Sequence, residues 1–450
     1  AAFSRLLNGT ANHNSYFSMQ EVSSDEMIIT QKGGDWFDGG IWINMHEHEF
    51  RATNESLNNT WNDNYAVITQ ANLLLDGGLS TDGTAQIRTL RAFIYWRLMD
   101  LFGNVKLVTS PGVDVAQSTR LAAYNFIEAE LLAAIPDLRD GRAEYGRINQ
   151  YGAYGILARL YLNAEVYTGT ARWQDAIDAA DEIINSGLYD LDPNYAAVFA
   201  PDNVENIEHI FIVPFDESSG PGNNFAQMTL HYPSQLTYGF QAQPWNGYST
   251  LEEFYNSYDA ADVRRENNFI VGLQLDLAGN PVLDVAFDPD DPDGAELNFT
   301  PFINELFPSG SRQGGARLGK FSFKIGQLPD ADNDYTIIRF GDVLLMKAEA
   351  VARLNTFNHP TTLTLTNRIR TRAGVSAYTS LTEQEFYNER GREMFQESLR
   401  RTQMIRFGTW GDAWEFKPAH NDAFKDIMPI PLDQINASSG VGKLAQNLGY

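Results

Sequence analysis

The sequence contains no cysteine, no long apolar run and few basic residues for its length. Without cysteine, the 450 residues can form no disulfide, thiolate metal site or cysteine nucleophile. No run of about 18 apolar residues occurs, so no segment has the pattern of a membrane-spanning helix. The 33 basic and 58 acidic residues give a formal net charge of −25. Such a surface repels phosphate backbones and anionic headgroups, so we expect neither nucleic acid nor direct electrostatic membrane binding.

The common catalytic motifs are also absent. There is no Gly-x-Ser-x-Gly turn, no Walker-type loop and no dinucleotide fingerprint. In "HEHEF", His46 and His48 would share a face only on a strand, and two histidines leave zinc short of ligands. We therefore predict that both lie on a polar surface or make local hydrogen bonds. Among 58 acids some pair will be suitably spaced by chance, so a glycoside hydrolase remains an alternative.

Two acidic clusters, "DPDDPDG" at 288–294 and "DADND" at 330–334, have oxygen ligands at alternating positions, as calcium loops do. The candidate ligands are Asp288, Asp290, Asp330, Asp332 and Asp334. Pro292 stands where an EF-hand loop needs Asp or Asn, and Tyr335 replaces its turn glycine. Solvated acidic turns are the favoured interpretation. We therefore expect no cofactor, and a structural calcium or a calcium-dependent binder stays an alternative.

Helical spacing of apolar residues dominates both ends of the chain. In "QIRTLRAFIYWRLMDLFGN" it persists up to Gly103, which supplies the stop. Alternating small and large residues in the next two helices resemble a tetratricopeptide-type hairpin, which must stack on others to bury its face. Thr382 and Glu385 form a capping box. Further helices are predicted at roughly 149–166, 171–186, 340–354 and 382–407. The prediction is a mainly α scaffold at approximately 50–190 and 335–410.

Between these parts, residues 191–334 are rich in Pro, Gly, Asn and Asp. They predict a loop-rich insertion with a few short strands and helices, and "IEHIFIVPF" is the best strand candidate. Loops this long in a compact chain are usually functional or disordered, and the aromatic content argues against disorder.

Three tryptophans lie in loops instead of on helix faces. Trp36, Trp42 and Trp245 each neighbour Gly, Asn or Pro and polar residues. An indole face matches the apolar face of a pyranose ring, while Asp, Asn, Gln and Arg bond its hydroxyls. Glycine keeps the backbone clear of a ligand. From this chemistry alone, sugar stacking and pinning of the loops to the scaffold both remain open.

Several stretches, in order, resemble the SusD/RagB family of surface glycan-binding proteins of Bacteroidetes. These are "IRTLRAFIYWRLMDLFGNVKLV", "GAYGILARLYLNA", "WQDAIDAADEIINSGLYDL", "YTIIRFGDVLLMKAEAVARLN", "NRIRTRAGV", "ERGREMFQESLRRTQMIRFGTW", "IMPIP" and "QNLGY". The sequence departs from the family pattern at Lys106, where Pro is usual, at Ser398, where Gly is usual, and at Gln403, where Asp is usual.

The resemblance implies a single SusD-like domain over residues 1–450 with about four tetratricopeptide-like helix pairs. Such proteins are non-catalytic lipoproteins of the outer-membrane surface, held by a lipidated N-terminal cysteine. The chain begins "AAFSRLLNGT" without Met, so we expect the leader and this cysteine upstream of Ala1. The implied partner is a SusC-like TonB-dependent transporter, which receives the captured oligosaccharide or polysaccharide.

Family members similar to this chain hold sugar-stacking residues in an N-terminal loop like "GGDWFDGG". The resemblance therefore favours Trp36 as a stacking residue, with Asp35 and Asp38 as hydroxyl acceptors. The further candidates are Trp42, Trp245, Asn246, Tyr248, Arg312 and Gln313. A neutral glucan such as a laminarin-type β-glucan is the expected ligand. A helical-repeat module that binds a peptide or protein is the other alternative.

Overall fold

Two groups of helices, separated in the sequence by a loop-rich segment, pack side by side. A computed structural model describes residues 2–7, 9–142, 144–218, 222–284 and 294–450. The helices are α1 (Ala2–Leu6), α2 (Tyr16–Glu21), α3 (Ile41–His46), α4 (Glu55–Asp76), α5 (Thr81–Phe102), α6 (Arg120–Ala134), α7 (Gln150–Leu162), α8 (Ala164–Thr168), α9 (Trp173–Asn185), α10 (Phe225–Thr229), α11 (Ser234–Tyr238), α12 (Glu252–Asn256), α13 (Val263–Asn268), α14 (Phe340–Leu354), α15 (Pro360–Arg372), α16 (Glu383–Met394), α17 (Arg400–Phe407) and α18 (Leu432–Ala437).

Strands are short throughout the described residues, and each sheet there has two antiparallel strands. The strands are β1 (Met27–Ile29), β2 (Val105–Lys106), β3 (Gln117–Ser118), β4 (His209–Val213), β5 (Tyr248–Thr250), β6 (Phe269–Ile270), β7 (Gly272–Leu273), β8 (Asn298–Phe299), β9 (Arg317–Leu318) and β10 (Tyr335–Arg339). The pairs are β1–β5, β2–β3, β4–β10, β6–β9 and β7–β8. The strand predicted in "IEHIFIVPF" is confirmed as β4.

The long helices begin at residues whose side chains can cap the first turn. Asn54, Ser80, Thr119 and Asn149 each accept a hydrogen bond from a backbone N–H in the first turn of α4, α5, α6 and α7. The predicted capping box of Thr382 opens α16. Although α4 and α5 each have 22 residues, no helix in the described part combines the length and apolar content needed to cross a bilayer.

The long helices stack in chain order as α4, α5, α6, α7 and α9, and α14 packs directly against α9 across the insertion. A small residue lets α7 and β10 approach each other closely. A Cβ on Gly155 of α7 would lie 2.6 Å from a methyl carbon of Ile338 in β10. Among the described residues, eight helices have at least 12 residues, as four predicted pairs require. The prediction of a mainly α repeat-like scaffold is confirmed.

Two predicted helices are interrupted. The helix expected at roughly 149–166 divides at Asn163 into α7 and α8. The helical stretch expected at roughly 382–407 breaks over residues 395–399, between α16 and α17. There Gln396 and Ser398 have φ of 63° and 58°, a conformation incompatible with a continuous right-handed helix.

A buried ion network joins the C-terminal helices to the loop-rich insertion. Arg339 of β10 contacts Glu208, Glu393 and Glu397, at 3.1, 2.8 and 2.7 Å. Arg264 of α13 contacts Asp262, Glu389 and Glu393, at 2.7, 2.8 and 3.0 Å. The side chains of these ion pairs are 0–2% exposed. Each ion loses its hydration on burial, so removing one partner leaves an uncompensated charge.

Replacing Arg339 with methionine should therefore destabilise the fold severely. The substitution leaves three buried carboxylates short of a positive partner, so we expect a loss of roughly 3–5 kcal/mol in the free energy of unfolding. Urea denaturation followed by circular dichroism measures it. Arg139→Met is the matched control because its pair with Glu144 is 56% and 75% exposed, so roughly 0–1 kcal/mol should change. Equal effects of the two substitutions would contradict a structural role for the network.

Two carboxyl groups, Glu21 and Glu26, form a second buried cluster beside the break between α16 and α17. Burial raises the pKa of Glu21 to about 7, although the Ser398 N–H donates to its carboxylate at 2.5 Å. Burial and the neighbouring Glu21 raise the pKa of Glu26 well above its ordinary value. The folded protein thus binds a proton here more tightly than the unfolded chain does.

This pair makes the fold less stable as the pH rises. A raised acid pKa contributes stability that is full below the unfolded value of 4.5, declines above it and is lost once the pH has passed the folded value of about 7. Urea midpoints of the wild type should fall between pH 5 and pH 7, and those of Glu21→Gln should fall less. Other titrations are common to both proteins, so parallel pH profiles would contradict the assignment.

Candidate functional site

The loop from Gly33 to Gly40 is held in an unusual backbone conformation. Its first turn is closed by two backbone bonds between Lys32 and Asp35, at 3.0 and 3.1 Å. Trp36 and Asp38 have φ of 63° and 42°, values that side chains with a Cβ rarely adopt. Outliers of this kind persist where surrounding contacts impose them and are frequent at ligand sites. The loop therefore presents its side chains in a fixed arrangement.

The indole of Trp36 is fixed by a second loop. Its N–H donates to the carbonyl oxygen of Trp245 at 2.6 Å. The ring lies against Gly247, where a Cβ would come within 2.3 Å of a ring carbon. Only glycine fits beneath this ring, since any other side chain would displace it. Residues 245–247 are themselves held by backbone bonds to Gln227, Met228 and Leu230 at 2.7–2.9 Å.

These two loops form an open depression of about 510 Å³. It is lined by His13, Asp35, Trp36, Asp38, Tyr232, Gln243, Pro244 and Trp245. Trp245 is 37% exposed and Trp36 is half-buried, so both rings present surface to a ligand. The volume lies within the range of roughly 300–1,000 Å³ that is usual for small-molecule sites.

Polar groups converge on the same depression. Asp35 accepts a hydrogen bond from the Tyr232 hydroxyl. Asp38 accepts one from the Trp42 indole N–H at 2.7 Å. Each of these bonds orients its carboxylate, which has about four acceptor positions in all. The depression thus combines two aromatic surfaces with two oriented carboxylates.

Three predicted contact residues lie behind this surface. Trp42, Asn246 and Tyr248 are 0% exposed, so as the protein stands none of them can touch a ligand in the depression. Trp42 belongs to α3 and its ring centroid lies 6.0 Å from that of Trp36, while Tyr248 lies 5.9 Å away. The two support the Trp36 ring from within. Their prediction as contact residues is corrected to this supporting position.

Asn246 links the aromatic loops to the segment of Arg312 and Gln313, which does not line the depression. Its amide donates to the Arg312 carbonyl at 3.2 Å and accepts from Arg317 at 2.9 Å. The Arg312 side chain forms a bidentate pair with Asp284 at 3.1 and 3.1 Å. Burial alone would raise the pKa of Asp284, but hydrogen bonds from His231 and Arg312 lower it to about 2. This segment supports the aromatic loops through Asn246 and does not line the depression.

Four residues of the wall were not predicted from the sequence: His13, Tyr232, Gln243 and Pro244. The His13 ring is central, since its centroid lies 5.4 Å from that of Trp36 and 5.6 Å from that of Trp245. Burial lowers its pKa, against the raising effect of Asp38. No local pattern marks His13, because its partners are distant in sequence. Gln243 and Pro244 directly precede Trp245, so their position in the sequence could have indicated them.

The candidate metal ligands make protein contacts. Asp332 pairs with Lys324, and Asp334 accepts hydrogen bonds from the Tyr145 hydroxyl at 2.8 Å and the Phe215 N–H at 3.0 Å. Asp330 is half-buried, and Asp288 and Asp290 lie outside the described residues. Over the described ranges, no three His, Asp or Glu side chains are grouped to hold a metal.

His46 and His48 are hydrogen-bonded as predicted, but their partners are distant in sequence instead of local. The His46 ring N–H donates to the Glu415 carbonyl at 2.8 Å, and one His48 ring nitrogen lies 2.7 Å from the Ser23 carbonyl. Both rings are buried. They attach the end of α3 to neighbouring segments.

Two family models match the ends of the chain. One described as "SusD family" matches residues 294–450, and one described as "Starch-binding associating with outer membrane" matches residues 6–162. The chain is 26% identical over 432 residues to the starch-binding protein SusD of Bacteroides thetaiotaomicron, covering 85% of this chain and 76% of that protein.

Solved structures share the fold across nearly the whole chain. One titled "Laminarin binding SusD-like protein" has a TM-score of 0.78 at 22% identity and covers 100% of this chain and 97% of its own. Surface glycan-binding protein A from Bacteroides thetaiotaomicron, in complex with laminarihexaose, has a TM-score of 0.75 at 23% identity, covering 96% and 93%.

Gly247→Ala tests the packing of the Trp36 ring. The added methyl cannot fit 2.3 Å from the indole, so the ring should leave its place and lose the bond to Trp245. In a two-dimensional ¹⁵N–¹H spectrum, the Trp36 indole N–H signal should shift or broaden. Gly77→Ala is the control, because its Cβ would make ordinary contacts at 3.4 and 3.7 Å. An unmoved Trp36 signal in Gly247→Ala would refute the packing described.

Proposed function

Because the chain belongs to the SusD/RagB family, we propose that it is a cell-surface glycan-binding protein, one that captures a polysaccharide and passes it to a transporter. The observation that carries this proposal is the depression between Trp36 and Trp245. Two partly exposed indoles stand there, fixed by backbone contacts, beside two oriented carboxylates. Rigid aromatic surfaces with convergent polar groups suit the apolar face and the hydroxyl rim of a sugar ring.

In the proposed binding mode, a pyranose ring stacks on Trp36 and the next stacks on Trp245. Asp35 and Asp38 accept hydrogen bonds from sugar hydroxyls. His13, between the two indoles, fixes their spacing, and Trp42, Tyr248 and Asn246 hold the loops from behind. The site is preorganised, so little side-chain freedom is lost on binding.

We propose that the ligand is a neutral glucan, and a laminarin-type β-glucan is the first candidate. The titles of two structures similar in fold name laminarin or laminarihexaose, which supports this choice. The net charge of −25 and the two aspartates in the depression disfavour sulfated or uronic sugars through like-charge repulsion.

Capture without hydrolysis fits the contacts of the two carboxylates. Asp35 is committed to Tyr232 and Asp38 to Trp42 as acceptors, an arrangement that supports orientation of hydroxyls. In the proposed setting, a lipid anchor holds the protein at the outer membrane above a SusC-like TonB-dependent transporter. Modest affinity is then sufficient, since proximity raises the effective sugar concentration at the transporter.

Tryptophan substitutions test the site directly. Trp36→Ala and Trp245→Ala should each weaken binding of laminarin by at least about tenfold, or about 1.4 kcal/mol, in calorimetry or affinity gels. Phe37→Ala is the matched control: it lies in the same loop and is 48% exposed, but it does not line the depression. It should bind as the wild type does.

Equal binding by Trp36→Ala and Phe37→Ala would refute the site, and binding of no neutral glycan by the wild type would refute the function. The same samples should release no reducing ends from laminarin during prolonged incubation. Release of reducing ends would establish the hydrolase alternative.

A further inference from the structure

A second pocket, of about 290 Å³, lies at the opposite end of the β1–β5 pair from the Trp36 depression. The pairing runs from Met27–Thr250 to Ile29–Tyr248. Beyond Ile29 the chain leads to the Trp36 loop, and Tyr248 follows the Trp245 loop. At the other end, residues that precede β1 or follow β5 line the second pocket: Asp25, Leu251 and Glu253. The ladder between these two ends is only about 7 Å long from its first Cα to its last, so a short and regular element connects the segments that line the two pockets.

Helix α3 provides a second rigid connection between the pockets. Trp42, behind the Trp36 ring, and His46 stand one turn apart on this helix. His46 donates to the carbonyl of Glu415, the residue after Trp414, and Trp414 lines the second pocket. The ring centroids of His46 and Trp414 lie 6.3 Å apart. Movement of one pocket relative to the other would therefore require α3 to shift.

The wall of the second pocket is aromatic. Trp414 is half-buried, and the Lys417 Nζ lies 4.1 Å from its ring centroid and covers one face. The buried Tyr387 also lines the pocket. The partly exposed indole of Trp414 thus offers an aromatic surface to a sugar ring.

Amide groups of α16 line the same pocket. Gln384 and Asn388 stand one turn apart, and the Gln384 amide donates to the Asn388 carbonyl oxygen at 2.9 Å. Side-chain amides carry both donors and acceptors, as the hydroxyls of a sugar do. Gln384 is exposed and Asn388 is half-buried, so a ligand can reach both.

The charges in the pocket disfavour an anion. Asp25 is paired with Arg400 by two bonds, at 2.6 and 2.7 Å, so these two charges compensate each other. Glu253 and Asp412 add two carboxylates to the lining. Sulfate, phosphate or uronate groups would meet like charges here, whereas neutral hydroxyls would find acceptors.

We infer that the Trp414 pocket is a second saccharide subsite for the same neutral glucan, an inference that rests on the proposed function. A sugar ring lies on the free surface of Trp414, and its hydroxyls bond Gln384, Asn388 and Glu253. Because both pockets are fixed to one small sheet, a long polysaccharide occupies them together. The second contact is then intramolecular, so polysaccharide is bound more tightly than short fragments.

The test removes the two amides and leaves the fold intact. Gln384→Ala/Asn388→Ala shortens accessible side chains on a helix, where alanine is favourable. The control is Gln174→Ala, which removes the equivalent i,i+4 bond to Asp178, at 2.7 Å, on the exposed face of α9. Each change is made in two backgrounds, one with Trp36 intact and one with Trp36→Ala. Binding of laminarin and of laminarihexaose is then measured by calorimetry.

In the intact background, the double variant should bind laminarin at least about tenfold more weakly than the Gln174→Ala control. With Trp36→Ala, residual laminarihexaose binding should remain and should be lost when the double change is added. Identical binding by the double variant and its control in both backgrounds would overturn the subsite. The first site would then still be judged by Trp36→Ala alone, and only a wild type that binds neither probe would overturn both.

Discussion

The position of the loop-rich insertion depends on buried ion pairs. Their carboxylates belong to α16 and to the segment that follows it. Glu389, Glu393 and Glu397 lie at 0–2% exposure and meet arginines from three other parts of the chain. Lys320 of the insertion adds bonds to Glu397 and to two backbone carbonyls near it, at 2.6–3.0 Å. Buried charges need nearly complete pairing, so the insertion can dock in few ways.

This docking explains how long loops can form a preorganised binding surface. The insertion also has a small apolar core of its own, made by Ala226, Leu230, Phe240, Val282, Leu297 and Phe299. Arg317 extends the anchoring towards the site, since it donates to the carbonyls of Arg312, Gly314 and Gly315 at 2.6–2.7 Å. The Trp245 loop rests on these contacts through Asn246. Electrostatic anchoring, a local core and glycine contacts thus replace regular secondary structure as the source of rigidity.

The scaffold could be predicted from the sequence because helical periodicity and caps are local. The limits of α14 match the prediction to the residue, and Gly103 ends α5 as expected. Ser398, where the family pattern has Gly, has φ of 58°, so the glycine preference at this position has a conformational cause. The break before α17 was missed because no proline marks it.

The site was predictable only in part, because its walls come from segments distant in sequence. The exposed pair Trp36 and Trp245 could be picked out by glycine, asparagine and proline neighbours. The burial of Trp42 could not, since it depends on α3 beginning at Ile41 and turning the indole inward. His13 reaches the site only through packing of the N-terminal segment against both loops.

The most direct measurement for the central claim is a crystal structure of the protein with laminarihexaose. In that structure, glucose rings should lie on the exposed faces of Trp36 and Trp245. Their hydroxyls should lie within about 3 Å of Asp35 or Asp38. The protein loops should superpose on those of the free protein. Density for the sugar elsewhere, with the Trp36 and Trp245 faces uncovered at saturating ligand, would contradict it.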